Sequence, residues 1–120
     1  MTTEPAPARY VIAQLDELPE QPCPCGVTRR AFTDDPAQIA SAHLLAIDGA
    51  ARTHYHRHTS ELYVVLEGEG VMEVDGERVP LRPLTAVLIK PGCRHRAVGR
   101  CRILNVPIPA FNPEDEWFDE

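Results

Sequence analysis

The sequence predicts an all-β fold, built from many short antiparallel strands that form a sandwich or a barrel. From residue 39 onward, turn-forming residues recur at close, regular intervals and separate short extended stretches. The pair Asp75–Gly76 lies between two such stretches and is a strong β-hairpin signal. Long helical periodicity is absent, and many short strands joined by glycine or proline turns favour a sandwich or barrel.

Length and composition fit one domain. The chain has 120 residues, 43% of them hydrophobic, so one modest core can form without disulfides. We expect a single domain over residues 1–120, with an N-terminal arm at 1–38, a barrel core at 39–108 and an acidic tail at 109–120. The tail carries Trp117 and Phe118, which we expect to fold back over an apolar surface.

The positions of turn residues divide the chain into predicted strands. The arm is predicted to hold strands at 10–15 and 27–33, with a loop at 19–26 between them. Strands of the barrel core are predicted at 39–47, 52–58, 61–66, 71–74, 78–81, 85–89, 95–98 and 102–108. Turns are expected at 48–50, 67–70, 75–77, 82–83 and 91–94.

The charge pattern argues against nucleic-acid and membrane partners. The net charge is -6, and no basic stripe with interleaved aromatic residues is present. The N-terminus lacks a signal-peptide core, and no segment has the length of a membrane span. We therefore expect a cytoplasmic protein with no nucleic-acid or membrane partner. Thiols stay reduced in that compartment, so the four cysteines are expected to be free: Cys23, Cys25, Cys93 and Cys101.

The segment HYHRHTSE at residues 54–61 carries the candidate chemistry. Alternate side chains of a strand lie on one face, so His54, His56 and His58 would share a face. Two imidazoles at this spacing can place nitrogens about 2.1 Å from one ion, and Glu61 can reach the same point from the next strand. A fourth ligand has to come from elsewhere in a closed barrel, and a tight turn at 91–94 leads into His95.

These residues resemble the two motifs of the cupin family. In the first motif, HxH is followed by three or four residues, Glu, six residues and Gly, and the chain has HYH, Glu61 and Gly68 at those positions. The second motif centres on PxGxxH and is matched by KPGCRH at residues 90–95, with lysine in place of its first proline. The resemblance covers residues 39–108. It implies an antiparallel double-stranded β-helix, or jelly-roll barrel, with an N-terminal strand arm.

The resemblance also implies one divalent metal ion bound by His54, His56, Glu61 and His95. In an alternative interpretation His58 replaces His54 as a ligand, and in another the cluster is a solvated patch on a metal-free barrel. The mixed nitrogen and oxygen ligands suit Fe, Mn, Ni, Co, Cu or Zn, and the sequence does not choose among them.

Four neighbouring residues are candidates for a small-molecule pocket: Tyr63, Arg52, His58 and Cys93. Tyr63 has the parity of Glu61 and Arg52 has that of His54, so both are expected to point inward. Arg52 would then meet an anionic substrate or form a surface salt bridge. His43 lies outside the motifs, and its default interpretation is a satisfied or exposed histidine.

Three functions remain open from the sequence. The first is a metal-binding cupin with a small-molecule pocket, acting as an oxygenase, isomerase or lyase. The second is a non-catalytic ligand-binding or sensory cupin, and the third is a structural barrel without site chemistry. The N-terminal arm offers strands that can cover the edge of a partner's sheet, so we expect a homodimer.

Overall fold

A computed structural model describes residues 8–119, so residues 1–7 of the arm and residue 120 of the tail lie outside the described part. The fold is all-β, as predicted, with two single-turn 3-10 helices at Leu15–Glu17 and Pro113–Asp115. The strands are β1 (Gln21–Cys23), β2 (Gly26–Ala31), β3 (Ala42–Ala50), β4 (Ser60–Val74), β5 (Glu77–Leu81), β6 (Ala86–Ile89) and β7 (His95–Ile108).

All strand pairs are antiparallel and belong to one sheet, in the order β1-β2-β3-β7-β4-β5. The first half of β4 also pairs with β6, and its second half pairs with β5. The long strands β4 and β7 pair with each other over their whole length and form the longest antiparallel pair of the barrel. The apolar core lies between the inner faces of these strands, with Val65, Met72 and Ile103 fully buried.

A β-bulge between Val65 and Glu67 makes β4 one strand where the sequence predicted two. Before the bulge the odd-numbered residues Glu61, Tyr63 and Val65 face inward, and after it Met72 does. One extra residue in the bulge reverses the alternation, because successive side chains of a strand lie on opposite faces. The turn predicted at 67–70 is therefore wrong, since its glycines lie inside the strand.

Gly68 is a position where a side chain does not fit. Its φ is +84°, and a Cβ atom there would lie 2.3 Å from the carbonyl oxygen of Arg100 on β7. Gly68→Ala is expected to lower the free energy of unfolding by about 3 kcal/mol or more, because the backbones of β4 and β7 must move apart. Gly76→Ala is the control, since Gly76 also has a positive φ but an open surrounding, and we expect a loss of about 1 kcal/mol there. Equal losses in urea denaturation would contradict this steric explanation.

Several other predicted elements are corrected by the structure. Residues 10–14 form no strand, and the turn predicted at 48–50 lies at the end of β3. The strands predicted at 95–98 and 102–108 are parts of the single strand β7. The strand predicted at 52–58 is a loop with two isolated bridges, from His54 to His95 and from Tyr55 to Trp117. The Asp75–Gly76 hairpin is confirmed as the turn between β4 and β5.

The expectation of free thiols is wrong for Cys23 and Cys25, which form a disulfide. Cys23 pairs with Gly26 across the β1–β2 hairpin, so the turn through Pro24 brings the two cysteines together with their Cα atoms 5.2 Å apart. Cys93 and Cys101 are free, as predicted.

The C-terminal tail lies against the loop at residues 51–59. The Arg57 guanidinium stacks 3.6 Å from the ring centre of Trp117, and that of Arg52 stacks 4.1 Å from the ring centre of Phe118. The tail thus covers one side of the loop that carries His54, His56 and His58. In residues 8–119 no helix is long and apolar enough to cross a membrane.

Candidate metal centre

Three imidazoles and one carboxylate meet inside the barrel. One possible ligand atom from each of His54, His56, Glu61 and His95 lies within 4.8 Å of the others. His54 and His56 come from the loop at 51–59, Glu61 from β4 and His95 from the first residue of β7. Two backbone hydrogen bonds between His54 and His95, of 3.1 and 2.9 Å, attach the loop to β7. The cluster is therefore built from one loop and two strands that are separate in the sequence.

Each of the three histidines has its Nδ1 beside a backbone carbonyl. The distances are 3.1 Å from His54 to the oxygen of Arg52, 2.8 Å from His56 to that of Asp115 and 2.9 Å from His95 to that of Cys93. A carbonyl oxygen only accepts hydrogen bonds, so Nδ1 carries the proton in all three rings. Their Nε2 atoms then hold the free lone pairs, which is the arrangement that metal-binding histidines use.

The carboxylate of Glu61 is held by one of its two oxygens. Oε2 accepts hydrogen bonds from the Tyr63 hydroxyl at 2.9 Å and from the Asn105 side-chain amide at 2.8 Å. Oε1 instead faces the histidines: it contacts Nε2 of His56 and lies 3.4 Å from Nε2 of His95. Tyr63 and Asn105 therefore fix the carboxylate so that one oxygen points into the cluster.

The unpaired atoms of the cluster fit a divalent cation. Within residues 8–119, Nε2 of His56, Nε2 of His95 and Oε1 of Glu61 are buried without a hydrogen-bond partner. Buried polar atoms are almost always paired, because leaving one unpaired costs about 1–3 kcal/mol. Lone pairs that face one another are satisfied by a shared cation, and three imidazoles with one carboxylate suit a first-row transition metal. The cluster is therefore able to bind a metal ion.

The pKa directions of these groups differ. Burial lowers the pKa of His56, but the adjoining Glu61 carboxylate outweighs burial and raises it, so a proton competes with a metal ion for that Nε2. Burial and the neighbouring His95 lower the pKa of His54 to about 4, so its imidazole is neutral near pH 7. Burial would raise the pKa of Glu61, but the adjoining imidazoles of His56 and His95 outweigh it and hold that pKa well below its usual value. Burial and the charge of Glu61 raise the pKa of Tyr63 well above its usual value, so the phenol remains a donor.

Asp115 of the tail shapes the loop that carries the histidines. Its carboxylate accepts hydrogen bonds from the backbone amides of Arg57, His58 and Thr59, at 2.9–3.0 Å, and from the Thr59 hydroxyl at 2.8 Å. Its backbone carbonyl holds the Nδ1 proton of His56. One buried tail residue thus closes the turn after His56 and orients the imidazole itself.

An open cavity with about 100 Å³ of space for water-sized molecules extends from the cluster between the sheet and the tail. Tyr63 and Arg52 line it, whereas His58 and Cys93 do not. His58 is exposed and lies in the turn that Asp115 holds. The prediction that His58 shares a face with His54 and His56 is wrong, because residues 52–58 do not form a strand. Cys93 packs against the apolar core.

Residues 43–107 match a family profile described as "Cupin domain". The match spans more than half of the chain. The chain belongs to the cupin family. A solved structure of a protein from Planctomyces limnophilus is 43% identical, with a TM-score of 0.86 and coverage of 92% of this chain and 98% of that chain.

Two further similarities are to a nucleoside dehydratase and to part of a transcriptional regulator. The nucleoside dehydratase Pac13, from Streptomyces, is 19% identical, with a TM-score of 0.78 over 92% of this cupin and 94% of that chain. The Bacillus subtilis (strain 168) protein "Uncharacterized HTH-type transcriptional regulator YobQ" is 36% identical over 67 residues, which are 52% of this chain. The cupin spans 28% of that regulator's length.

Sequence reasoning missed several residues of the site. Asn105, Asp115 and Glu116 were not singled out, and His43, which lines the cavity, was given no role there. The odd-numbered alternation of β7 from His95 onward would have placed Asn105 on the inner face. No comparable signal exists for Asp115 and Glu116, because they reach the cavity through the path of an irregular tail.

Proposed function

We propose that this cupin is a divalent-metal-dependent enzyme of the lyase or isomerase class, acting on a small oxygen-containing molecule held in the barrel cavity. The observation that carries the proposal is the convergence of three Nε2 lone pairs and Glu61 Oε1 at the end of an open cavity. A bound divalent ion would act there as a Lewis acid toward a carbonyl or hydroxyl oxygen.

The chain also offers a proton-transfer group that is not a ligand. Glu116 is half-buried and lines the same cavity. Burial, together with the charge of Glu61, raises the pKa of Glu116 above its usual value, although His56 and Arg30 act in the opposite direction. A half-buried carboxyl group on the cavity wall is placed to give a proton to a substrate or to take one from it. This favours lyase and isomerase chemistry, in which a substrate proton moves, over oxygenase chemistry.

The test begins with elemental analysis of protein purified without a metal-affinity tag, where we expect about one divalent ion per chain. Turnover is then followed by NMR on a panel of hydroxylated carbonyl compounds and nucleosides, with the metal removed by chelation and restored. Glu116→Gln should lower turnover by about 100-fold with unchanged metal content, because general acid–base groups contribute rates of about that size. Full turnover in metal-free protein would contradict the proposal.

A second candidate is a ligand-binding cupin without catalysis. The observation that favours it is the 36% identity to part of a transcriptional regulator, since a sensory barrel needs the pocket but no turnover. Ligand-induced stabilisation of the metal-loaded protein by a compound that is not converted would support this function. The expected homodimer stays a prediction, with edge strand β1 as the candidate contact.

A further inference from the structure

A row of polar side chains crosses the inner face of the sheet. Arg30 on β2 is paired in register with His43 on β3, His43 with Asn105 on β7, and Asn105 with Tyr63 on β4. All four side chains line the cavity. The side chains of Asn105 and Tyr63 donate hydrogen bonds to Glu61, so this end of the row adjoins the metal cluster. Arg30 and His43 form the opposite end, away from the ligand-bearing loop.

The opposite end of the row presents donors without partners. Thr28, two residues before Arg30 on the same face of β2, is only 1% exposed, and its hydroxyl has no hydrogen-bond partner in the described chain. The buried Nε of Arg30 is likewise unpaired there. Since buried polar atoms are rarely left unpaired, these two groups indicate a bound polar molecule in this part of the cavity.

His43 adds a neutral donor. Its Nε2 lies 2.8 Å from the hydroxyl of Ser41, which also accepts the backbone amide of Phe111 at 2.9 Å. The buried hydroxyl needs an acceptor for its own proton, and Nε2 provides it, so the imidazole proton is on Nδ1. Burial and the charge of Arg30 lower the pKa of His43 to about 4, so the ring remains neutral near pH 7.

Arg30 supplies a positive charge without an ion pair, although the charge of Glu116 acts on it from a greater distance. Within residues 8–119 no carboxylate oxygen lies within 4.0 Å of its guanidinium. The guanidinium stacks 4.5 Å from the ring centre of Phe111, which keeps the cation against the cavity wall. Its Nη1 is 3.4 Å from the side-chain oxygen of Gln21. The other charged residues on the cavity wall are Arg52, Glu61 and Glu116.

We propose that Thr28, Arg30 and His43 form a carboxylate-binding subsite, which holds one end of the substrate while its other end faces the metal cluster. The assignment of two ends rests on the proposed function, whereas the subsite itself rests on the three donors. One cation and two neutral donors match the single charge and two oxygens of a carboxylate. A phosphate dianion fits less well, because Glu116 lines the same cavity and repels a second negative charge.

The test measures binding of acetate and of inorganic phosphate by NMR titration, on both metal-loaded and chelated protein. Arg30→Gln is expected to weaken acetate binding about tenfold or more, since a hydrogen bond to a charged group contributes about 1.5–3 kcal/mol. Thr28→Val keeps the side-chain shape and should weaken it several-fold by removing one hydroxyl. Arg100→Gln is the matched control, because Arg100 is 88% exposed and pairs with Asp48 outside the cavity.

Measurements on metal-loaded and on chelated protein test the carboxylate subsite independently of the proposed metal-dependent activity. Acetate binding that depends on Arg30 in chelated protein supports the subsite, even if the purified protein holds no metal and the metal-dependent enzyme is thereby excluded. Unchanged acetate affinity in Arg30→Gln would overturn the subsite, and so would an equal loss in Arg100→Gln. Tighter binding of phosphate than of acetate in wild-type protein would overturn the carboxylate assignment.

Discussion

His54→Ala is expected to weaken metal binding on the order of 100-fold or more, whereas His58→Ala is expected to leave it unchanged. Changing residues that only orient a ligand typically costs 10–100-fold in metal affinity, so removing a ligand should cost at least as much. The two histidines lie four residues apart in one tract, and only His54 contributes a nitrogen to the cluster. Comparing the two variants therefore tests whether the position of the histidine, and not merely the loss of a histidine, decides the metal affinity.

The measurement is competition titration with a chromophoric chelator, supported by elemental analysis of each purified variant. His54 is only partly buried, so its replacement should leave the barrel folded, which circular dichroism and thermal melting will check. A larger loss in His58→Ala than in His54→Ala would restore the alternative ligand set considered from the sequence. Equal affinity in both variants and the wild type would exclude the cluster as the metal site.

Local spacing predicted three of the candidate ligands, and the resemblance to the cupin family added the fourth, His95. The HxH and Glu positions are close in sequence, and a tight turn places His95 at the start of a strand that pairs with β4. The structure gathers these four residues although the segment 52–58 is not the strand that the sequence predicted. A loop replaces it because Asp115, 56 residues beyond Thr59, holds three of its backbone amides.

The sequence pattern did not predict the hydrogen-bond partners that are distant in the chain. The two donors to Glu61 Oε2 illustrate the difference: Tyr63 follows from strand parity, while Asn105 depends on the register between β4 and β7. That register is shifted by the bulge after Val65, where the sequence pattern indicated a turn at EGEG. Glycine is common in turns, but at Gly68 it is required by the close approach of a neighbouring backbone.

Asp115→Ala is expected to lower the free energy of unfolding by about 3 kcal/mol, because three backbone amides and the Thr59 hydroxyl lose a charged acceptor. It is also expected to weaken metal binding about 10–100-fold, since the same residue's carbonyl orients the His56 ring. Asp119→Ala is the matched control in the tail. Its carboxylate is exposed and pairs with Arg94, so its removal should leave the stability almost unchanged, since solvent screens an exposed ion pair.

The two readouts distinguish what the tail does. Urea denaturation reports the stability of the fold, and chelator competition reports the orientation of His56. If Asp115 only anchors the tail, stability falls while metal affinity stays at the wild-type value, and the proposed positioning of His56 is wrong. A fall in both, with Asp115→Asn recovering part of each because its amide oxygen still accepts hydrogen bonds, means that the turn at 57–59 and the imidazole of His56 are set by one tail residue.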